Sequence, residues 1–211
     1  MKKSLFILFV LLVCLSINVI SQENETKKED KTFQFQPKPL ADDWNKWLIG
    51  EWEGVAESDA GTAKFLIKID FGLNGQYLIM ESESKLTALS DNQRQYLKDT
   101  LYASDEDIER YRNSTFKDLK IYTIDPKTGE VIGYLFDSMR CIAEGRGSRQ
   151  GNKEVIEWEW SGNAEGAKSI TIIEKVDDNK FTLNHKYILP NGKKMEDKTE
   201  ITRVKKDEKG T

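Results

Sequence analysis

Polar and apolar residues alternate along most of this chain, in short segments separated by turn residues. From residue 63 to residue 73, apolar side chains occupy every second position of a central run and polar ones lie between them, which is typical of a half-buried strand. The same alternation recurs from residue 116 to residue 206, between turns rich in glycine, proline, asparagine and aspartate. Connections this short join antiparallel neighbours. The pattern therefore predicts an antiparallel all-β fold.

Ten segments carry this strand pattern, and Asn74-Gly75 predicts a two-residue hairpin between the second and the third. An open sheet of ten antiparallel strands would leave two exposed edges, whereas closure into an up-and-down barrel removes them. A two-sheet sandwich is the competitor, but it needs longer crossovers than these hairpins. The predicted strands are 52–58, 63–73, 76–85, 116–124, 130–139, 141–149, 153–161, 168–176, 180–189 and 194–206.

Two segments depart from the strand pattern. Residues 40–49 have helical spacing and predict a short helix that plugs one end of the barrel. Residues 87–114 are polar and contain a helix-start signal, Ser104-Asp105-Glu106-Asp107, which predicts a helical insertion. The insertion either covers a barrel mouth or is a solvated decoration. The apolar face of the plug helix consists of Leu40, Trp44, Trp47 and Leu48.

The beginning of the chain has the pattern of a secretory signal peptide over residues 1–21. Two lysines precede an apolar run too short to span a bilayer, and small residues precede Gln22. Cys14 would permit lipid attachment, but Val13 stands before it where a small residue is expected, so plain cleavage is favoured. We therefore expect a secreted protein, in the periplasm or outside the cell, with no transmembrane segment after cleavage.

The remaining segments divide the mature chain into a tether, one domain and a tail. Residues 22–39 are polar, end in two prolines and predict a flexible tether. Residues 40–206 form the predicted barrel domain, and residues 207–211 a disordered tail.

Charge and cysteine content narrow the classes of partner. The chain has 32 basic and 36 acidic residues, a net charge of −4. Removal of the signal peptide takes away Lys2 and Lys3 and leaves 30 basic residues, a net charge of −6. This balance argues against nucleic acid as a partner. Cys141 would be the one cysteine left, so no internal disulfide is expected, and no spacing of histidine and cysteine predicts a metal site.

Two features resemble the calycin barrels, such as the lipocalins. The segment Gly50-Glu51-Trp52-Glu53-Gly54 resembles their Gly-x-Trp start, and Arg203 lies in the predicted last strand. In those barrels a base tryptophan packs against an arginine of the last strand. The resemblance implies that Trp52 and Arg203 meet at a closed floor, where an aromatic face receives a guanidinium.

A closer resemblance, over about residues 40–206, is to the bacterial domain-of-unknown-function family 1579. It implies a bacterial, calycin-like barrel and no established reaction or ligand. The insertion at 87–114 is longer than the usual loop of that family. The segments that carry the resemblance are 47–54, 77–83, 122–129, 137–139, 190–193 and 200–203.

Candidate ligand-binding residues lie on strand faces that would point into a closed barrel. His185, the only histidine, is in register with the apolar residues of its strand, and is either a ligand contact or a hydrogen-bonded core residue. Asp197 faces either the lumen or water. The predicted wall and polar contacts are Ile67, Ile69, Asp137, Trp158, Trp160, His185, Tyr187 and Asp197.

The expected function is non-catalytic binding of a small apolar or amphipathic molecule in the lumen. One alternative is a structural or interaction protein with a filled barrel. Another is a haem-binding barrel similar to the nitrobindins, calycin-like barrels that bind haem through a histidine near the C-terminus. The last strand here has no histidine, so His185 or Tyr187 would have to substitute, and no cofactor is expected. Ser138, His185 and Asp197 supply triad residue types, but no Gly-x-Ser-x-Gly turn is present, so no catalytic residue is predicted.

Overall fold

The computed structural model describes residues 38–58 and 60–205. The expected signal peptide, residues 22–37 of the expected tether, and the expected tail at 207–211 lie outside the described residues. None of the helices within the described ranges is long and apolar enough to cross a membrane.

Three helices and ten strands follow one another along the described chain. The helices are α1 (Asp43–Leu48), α2 (Asp91–Thr100) and α3 (Asp105–Asn113). The strands are β1 (Gly50–Ser58), β2 (Gly61–Gly72), β3 (Tyr77–Leu89), β4 (Thr115–Ile124), β5 (Val131–Asp137), β6 (Cys141–Gln150), β7 (Lys153–Gly162), β8 (Lys168–Asp177), β9 (Lys180–Ile188) and β10 (Lys194–Arg203).

The ten strands form one closed antiparallel barrel. Each strand pairs with its neighbours in sequence, and β1 pairs with β10, so that Trp52 stands opposite Arg203. Closure pairs both edges of the sheet and encloses its inner face. The prediction of an all-β, calycin-like up-and-down barrel is confirmed.

The up-and-down order gives the barrel two different ends. Helix α1 and the β2–β3, β4–β5, β6–β7 and β8–β9 connections lie at one end, which we call the floor. The insertion that carries α2 and α3 joins β3 to β4 at the opposite end, which we call the mouth.

Aromatic side chains fill the floor. The rings of Trp52 and Phe181 meet edge to face at 4.9 Å, and Trp47 of α1 lies 5.6 Å from Trp52. The indole of Trp52 is fully buried and donates a hydrogen bond to the carbonyl of Leu48 at 2.8 Å. Each aromatic pair of this kind adds about 1 kcal/mol to the free energy gained from burial. Helix α1 is therefore fixed to the barrel by packing and by a buried hydrogen bond.

Arg203 joins the last strand to the end of α1. Its guanidinium lies over the ring of Trp52 at 4.0 Å and donates hydrogen bonds to the carbonyls of Ile49 and Trp47. These carbonyls belong to the last turn of the helix, where no backbone amide is available to them. A single side chain thus covers an aromatic face and caps a helix end.

A second arginine holds α1 to the opposite wall. Arg149, at the end of β6, donates two hydrogen bonds to one oxygen of Glu154, at 2.6 and 2.9 Å, and a third to Asn45 of α1. Glu154 is only 3% exposed, and its burial raises the pKa of that carboxyl while Arg149 opposes the rise. Either charge would be costly to bury without the other, so the burial of Glu154 depends on its two hydrogen bonds with Arg149.

The turn between β2 and β3 differs from the prediction. Asn74-Gly75 does not form a two-residue hairpin; the last pair of the ladder is Gly72 with Tyr77, and four residues connect the strands. Leu73 and Asn74 both have positive φ angles, and the carbonyl of Gly75 accepts a hydrogen bond from the amide of Leu40 at 2.7 Å. The wider turn therefore binds the chain segment that enters α1.

Two strand ends also differ from the prediction. β5 ends at Asp137, because Arg140 adopts a φ of 62° and its amide bonds to the carbonyl of Asp137 in a tight turn. β3 continues to Leu89, beyond the expected end at residue 85, because it stays paired with β2 across a bulge. The helical part of the insertion is accordingly shorter than 87–114.

The insertion has its own small packing unit. Ser104 and Asp107 form a reciprocal capping box at the start of α3, which satisfies two amides of the first turn. Ile108 is fully buried and Leu97 is 7% exposed, whereas Leu101 is largely exposed. Helix α3 packs against β3.

Replacement of Arg203 by alanine tests the floor. Arg203→Ala removes the cation over Trp52 and the donors to two helix-end carbonyls, so we expect the free energy of unfolding to fall by about 3 kcal/mol. Urea denaturation followed by tryptophan fluorescence measures the change. The matched control is Arg146→Ala, which removes an exposed ion pair with Glu130 and should change stability by less than about 1 kcal/mol. Equal losses in the two variants would contradict this account of the floor.

Candidate functional site

A cavity of about 240 Å³ lies inside the barrel, between the floor and the mouth. All the described residues that line it belong to strands, so helices α2 and α3 do not form its wall. Its apolar lining includes Phe65, Ile67, Leu135, Trp158, Trp160 and Leu183. Its charged and polar lining includes Asp118, Lys120, Asp137, His185, Tyr187 and Asp197.

Seven of the eight predicted ligand-binding residues line this cavity, and Ile69 does not. Ile69 follows Ile67 on the same face of β2, one inward position nearer the floor. There it is 2% exposed and belongs to the core that includes Trp52. Ile69 therefore lies below the cavity, at a level where side chains fill the lumen.

Strand register places three polar residues in one row across the wall. His185 of β9 is paired with Thr171 of β8 on one side and with Asp197 of β10 on the other. Because paired residues point to the same face of a sheet, one inward residue brings its partners with it. Asp197 therefore faces the lumen, which the sequence left open.

The two tryptophans of β7 have their polar atoms occupied by the wall itself. The indole nitrogen of Trp158 donates to the hydroxyl of Thr171 at 2.9 Å, and that of Trp160 donates to Ser169 at 2.8 Å. These bonds fix the ring orientations. Glu157 and Glu159 alternate with them and are exposed on the outer surface.

Two glycines make room for Trp158. Gly133 and Gly145 are paired across β5 and β6, and a Cβ on Gly145 would lie 2.6 Å from the indole. A Cβ on Gly133 would lie 2.8 Å from the same ring. The indole thus packs directly on the backbone of the neighbouring strands.

An ion pair on β4 was missed by the sequence analysis. Asp118 and Lys120 both point inward, and the Lys120 ammonium lies 2.9 Å from an Asp118 carboxylate oxygen. The Lys120 side chain is 12% exposed, which is unusual for a lysine. β4 has apolar residues on both faces, so alternation alone did not show which face was inner. The pairing of Asp118 with Asp137 across the β4–β5 ladder determines the inner face.

Asp137 has a structural role as well as a place in the cavity wall. One of its carboxylate oxygens accepts hydrogen bonds from the amides of Met139 and Cys141, at 2.8 and 2.9 Å. These contacts close the turn after β5. The Cys141 thiol is half-buried, and this burial, with the nearby Asp137, raises its pKa.

His185 is a neutral imidazole that faces the cavity. Its Nδ1 lies 3.9 Å from the nearest Asp197 oxygen, too far for a hydrogen bond. Burial, with the Lys120 charge, lowers the pKa of His185 to about 3, although Asp118 partly opposes this. Burial also raises the pKa of Asp197, although a hydrogen bond from the backbone of His185 opposes this rise. The His185 side chain is 18% exposed, and it lines the cavity.

Tyr187 is the next inward residue of β9. Its ring lies 5.7 Å from that of His185 and 6.4 Å from that of Trp160. Burial raises its pKa strongly, and Asp197, Asp118 and Asp137 raise it further. The phenol is therefore protonated, and the three carboxylates are near enough to its hydroxyl to affect it.

The triad residue types do not assemble into a catalytic group. Ser138 is exposed in the turn after β5, where its hydroxyl accepts a hydrogen bond from the amide of Lys117. It does not line the cavity that contains His185 and Asp197. Within residues 38–58 and 60–205, no group of three or more histidine, cysteine or acidic side chains has the arrangement of a metal site.

Comparisons with known proteins show likeness of fold only. No family model and no curated protein matches the chain. The S-type phycobiliprotein lyase of Guillardia theta matches with a TM-score of 0.48 and 13% identity, over 78% of this chain and 92% of its own. The protein EF1p2_mFAP2b, bound to DFHBI, matches with a TM-score of 0.36 and 9% identity, over 75% of this chain and 95% of its own.

The neutral state of His185 predicts a specific sensitivity to acid. The unfolded chain takes up a proton near the ordinary pKa of 6.5, and the folded protein does so only near 3. Stability is therefore fully present above about pH 6.5 and falls by up to about 1.4 kcal/mol per pH unit below it. The variant His185→Gln lacks this titration. We expect the wild type to lose about 2 kcal/mol more than the variant between pH 7 and pH 4.5.

Urea denaturation at several pH values measures this difference. Lys120, Asp118, Asp197 and Tyr187 face the imidazole, and all of them remain in the variant, so their titration affects both proteins. Parallel stability curves for the two proteins would contradict the prediction, because His185 would then take up its proton as readily in the folded protein as in the unfolded chain.

Proposed function

We propose that this protein binds a small amphipathic molecule in the lumen of its barrel, without catalysis. The observation that carries the proposal is the cavity of about 240 Å³, in which aromatic walls face polar groups that the fold itself does not use. Within the described chain, neither the imidazole of His185 nor the hydroxyl of Tyr187 forms a hydrogen bond.

The contrast between the two halves of the lumen supports binding over a filled structural barrel. Near the floor, Trp52, Phe181 and Ile69 are almost fully buried in the hydrophobic core. Nearer the mouth the inner face of the barrel carries carboxylates, an ammonium and an imidazole. Unfilled volume and unpaired polar groups both reduce stability, so an arrangement that keeps both is expected where a ligand supplies the missing contacts.

The size of the cavity limits the ligand. Sites for drug-sized molecules usually measure about 300–1,000 Å³, and this one measures about 240 Å³. The ligand is therefore of the size of a single substituted ring. Its apolar part lies against Trp158 and Trp160, and its polar part faces His185, Tyr187 and Asp197.

The place of action and the family are part of the same proposal. The signal-like pattern of residues 1–21 supports a secreted protein, of the periplasm or the exterior of a bacterial cell. The motifs around Trp52 and Arg203 support membership of domain-of-unknown-function family 1579, and the barrel agrees with the fold implied by that resemblance.

Native mass spectrometry of the protein purified from its own host tests the binding function. We expect a fraction of the wild type to carry one small molecule. In the variant Ser84→Phe, a ring occupies the cavity beside Phe65, and the added mass should disappear. The control Glu81→Phe places the same ring on the outer face of β3 and should retain it.

The proposal would be contradicted if the wild-type protein carried no added mass and its melting temperature did not change when small amphipathic probes were added. Retention of the mass by Ser84→Phe would place the molecule outside the lumen.

A haem-binding barrel is the second candidate, and the observation that favours it is the neutral, unbonded imidazole of His185. The cavity as it stands does not fit a haem macrocycle, which is larger than about 240 Å³ and would meet the carboxylates of Asp118 and Asp197. If haem is a ligand, added haem should give a Soret band that His185→Ala abolishes. If it is not, wild type and variant should show the same spectrum as free haem.

A further inference from the structure

The charges in the lumen do not balance. Three carboxylates line the cavity, those of Asp118, Asp137 and Asp197, against the one ammonium of Lys120. Lys120 is already paired with Asp118 at 2.9 Å, and Asp137 is held by two backbone amides. Among the described residues that line the cavity, Asp197 has no cationic partner, because the basic group paired with it is the neutral imidazole of His185, whose Nδ1 lies 3.9 Å away. A partly buried carboxylate without a counterion is costly.

Groups around Asp197 also lack partners. The imidazole of His185 and the phenol of Tyr187 line the same cavity, and within the described chain neither forms a hydrogen bond. Each has an acceptor atom that can point into the lumen, as does the Asp197 carboxylate. An ammonium group has donors only and would satisfy all of these acceptors together. An anion would find one ammonium, already engaged by Asp118.

Aromatic rings form the rest of the wall. The indole nitrogens of Trp158 and Trp160 are bonded to Thr171 and Ser169, so these rings contribute their surfaces rather than donors to the cavity. The ring of Tyr187 lies 6.4 Å from that of Trp160. Aromatic faces attract cations and also bury apolar groups, so the wall suits an organic cation better than a metal ion or an anion.

We propose that the lumen selects a small organic cation, an aromatic or alkyl amine whose ammonium group binds Asp197 and whose apolar part packs on Trp158 and Trp160. The inference rests on the proposed binding function and names the class of ligand. The acidic balance of the chain, 36 acidic against 32 basic residues, would raise the local concentration of such a cation.

Three probes of nearly equal size and different charge test the inference. They are 2-phenylethylamine, which is cationic at pH 7, 2-phenylethanol, which is neutral, and phenylacetate, which is anionic. Each is titrated into the wild-type protein, with tryptophan fluorescence and calorimetry as readouts. We expect the amine to bind at least tenfold more tightly than the alcohol and the anion to bind more weakly than both.

Two variants separate the role of Asp197 from the overall charge. Asp197→Asn keeps the size of the side chain, and it should weaken amine binding at least tenfold and leave alcohol binding unchanged. Glu200→Gln removes a carboxylate from the outer face of the same strand, where Glu200 pairs with Lys180, and should leave amine binding unchanged. Equal losses in both variants would mean that the overall charge, and not the lumen, attracts the amine.

The outcomes distinguish failure of the inference from failure of the binding function. Equal affinities for amine and alcohol, or tighter binding of phenylacetate, would overturn the cation inference and leave a lumen binder. If no probe binds, the molecule retained by the host-purified protein decides: one with a basic nitrogen supports the inference, and one without overturns it. Absence of both probe binding and retained mass would overturn the inference and the binding function together.

Discussion

Closure of the barrel between its first and last strands is the constraint on which the rest of the structure depends. The β1–β10 ladder gives each strand a neighbour on both sides and divides every strand into an inner and an outer face. At the closing seam, Arg203 covers the ring of Trp52 and holds the carbonyls at the end of α1. One cross-strand pair therefore unites closure of the sheet, capping of the helix and sealing of the floor. Without the seam there would be no enclosed lumen, and the polar residues above the floor would lie in open water.

The inner surface changes character along the strands, and this change locates the site. On β9 the inward residues run from Phe181 through Leu183 to His185 and Tyr187, and on β10 they run from Ile201 to Asp197 in the opposite direction. Antiparallel pairing aligns the two gradients, so that apolar residues collect at the floor and polar ones near the mouth. The floor contributes the cluster of Trp47, Trp52 and Phe181 to the hydrophobic core. The upper lumen is consequently free to carry charged groups that reduce stability.

Much of the fold could be predicted from the sequence because local signals agreed with one another. Turn residues set the strand ends, alternation gave the inner faces of β7 and β9, and the pair Trp52 and Arg203 indicated closure. The site was harder to predict from the sequence. β4 is apolar on both faces, so the inward direction of Asp118 and Lys120 depends on their partners across the ladder. The position of Ile69 below the cavity depends on how high α1 and the aromatic cluster fill the lumen, which is a property of tertiary packing. The four-residue turn after Gly72 depends on the distant contact with Leu40.

The seam between β1 and β10 also has a kinetic consequence. Its paired residues, such as Trp52 and Arg203, are separated by almost the whole domain, whereas every other ladder joins neighbours in sequence. Contacts of such long range require the largest loop closure and form slowly. While the chain emerges during synthesis, the edge of β1 stays unpaired until β10, the last strand of the barrel, has been made. In that interval the nascent sheet has an exposed edge of the kind that favours intermolecular association. Pairing of β10 with β1 removes this edge, so the last step of folding also ends the period in which the chain is prone to aggregate.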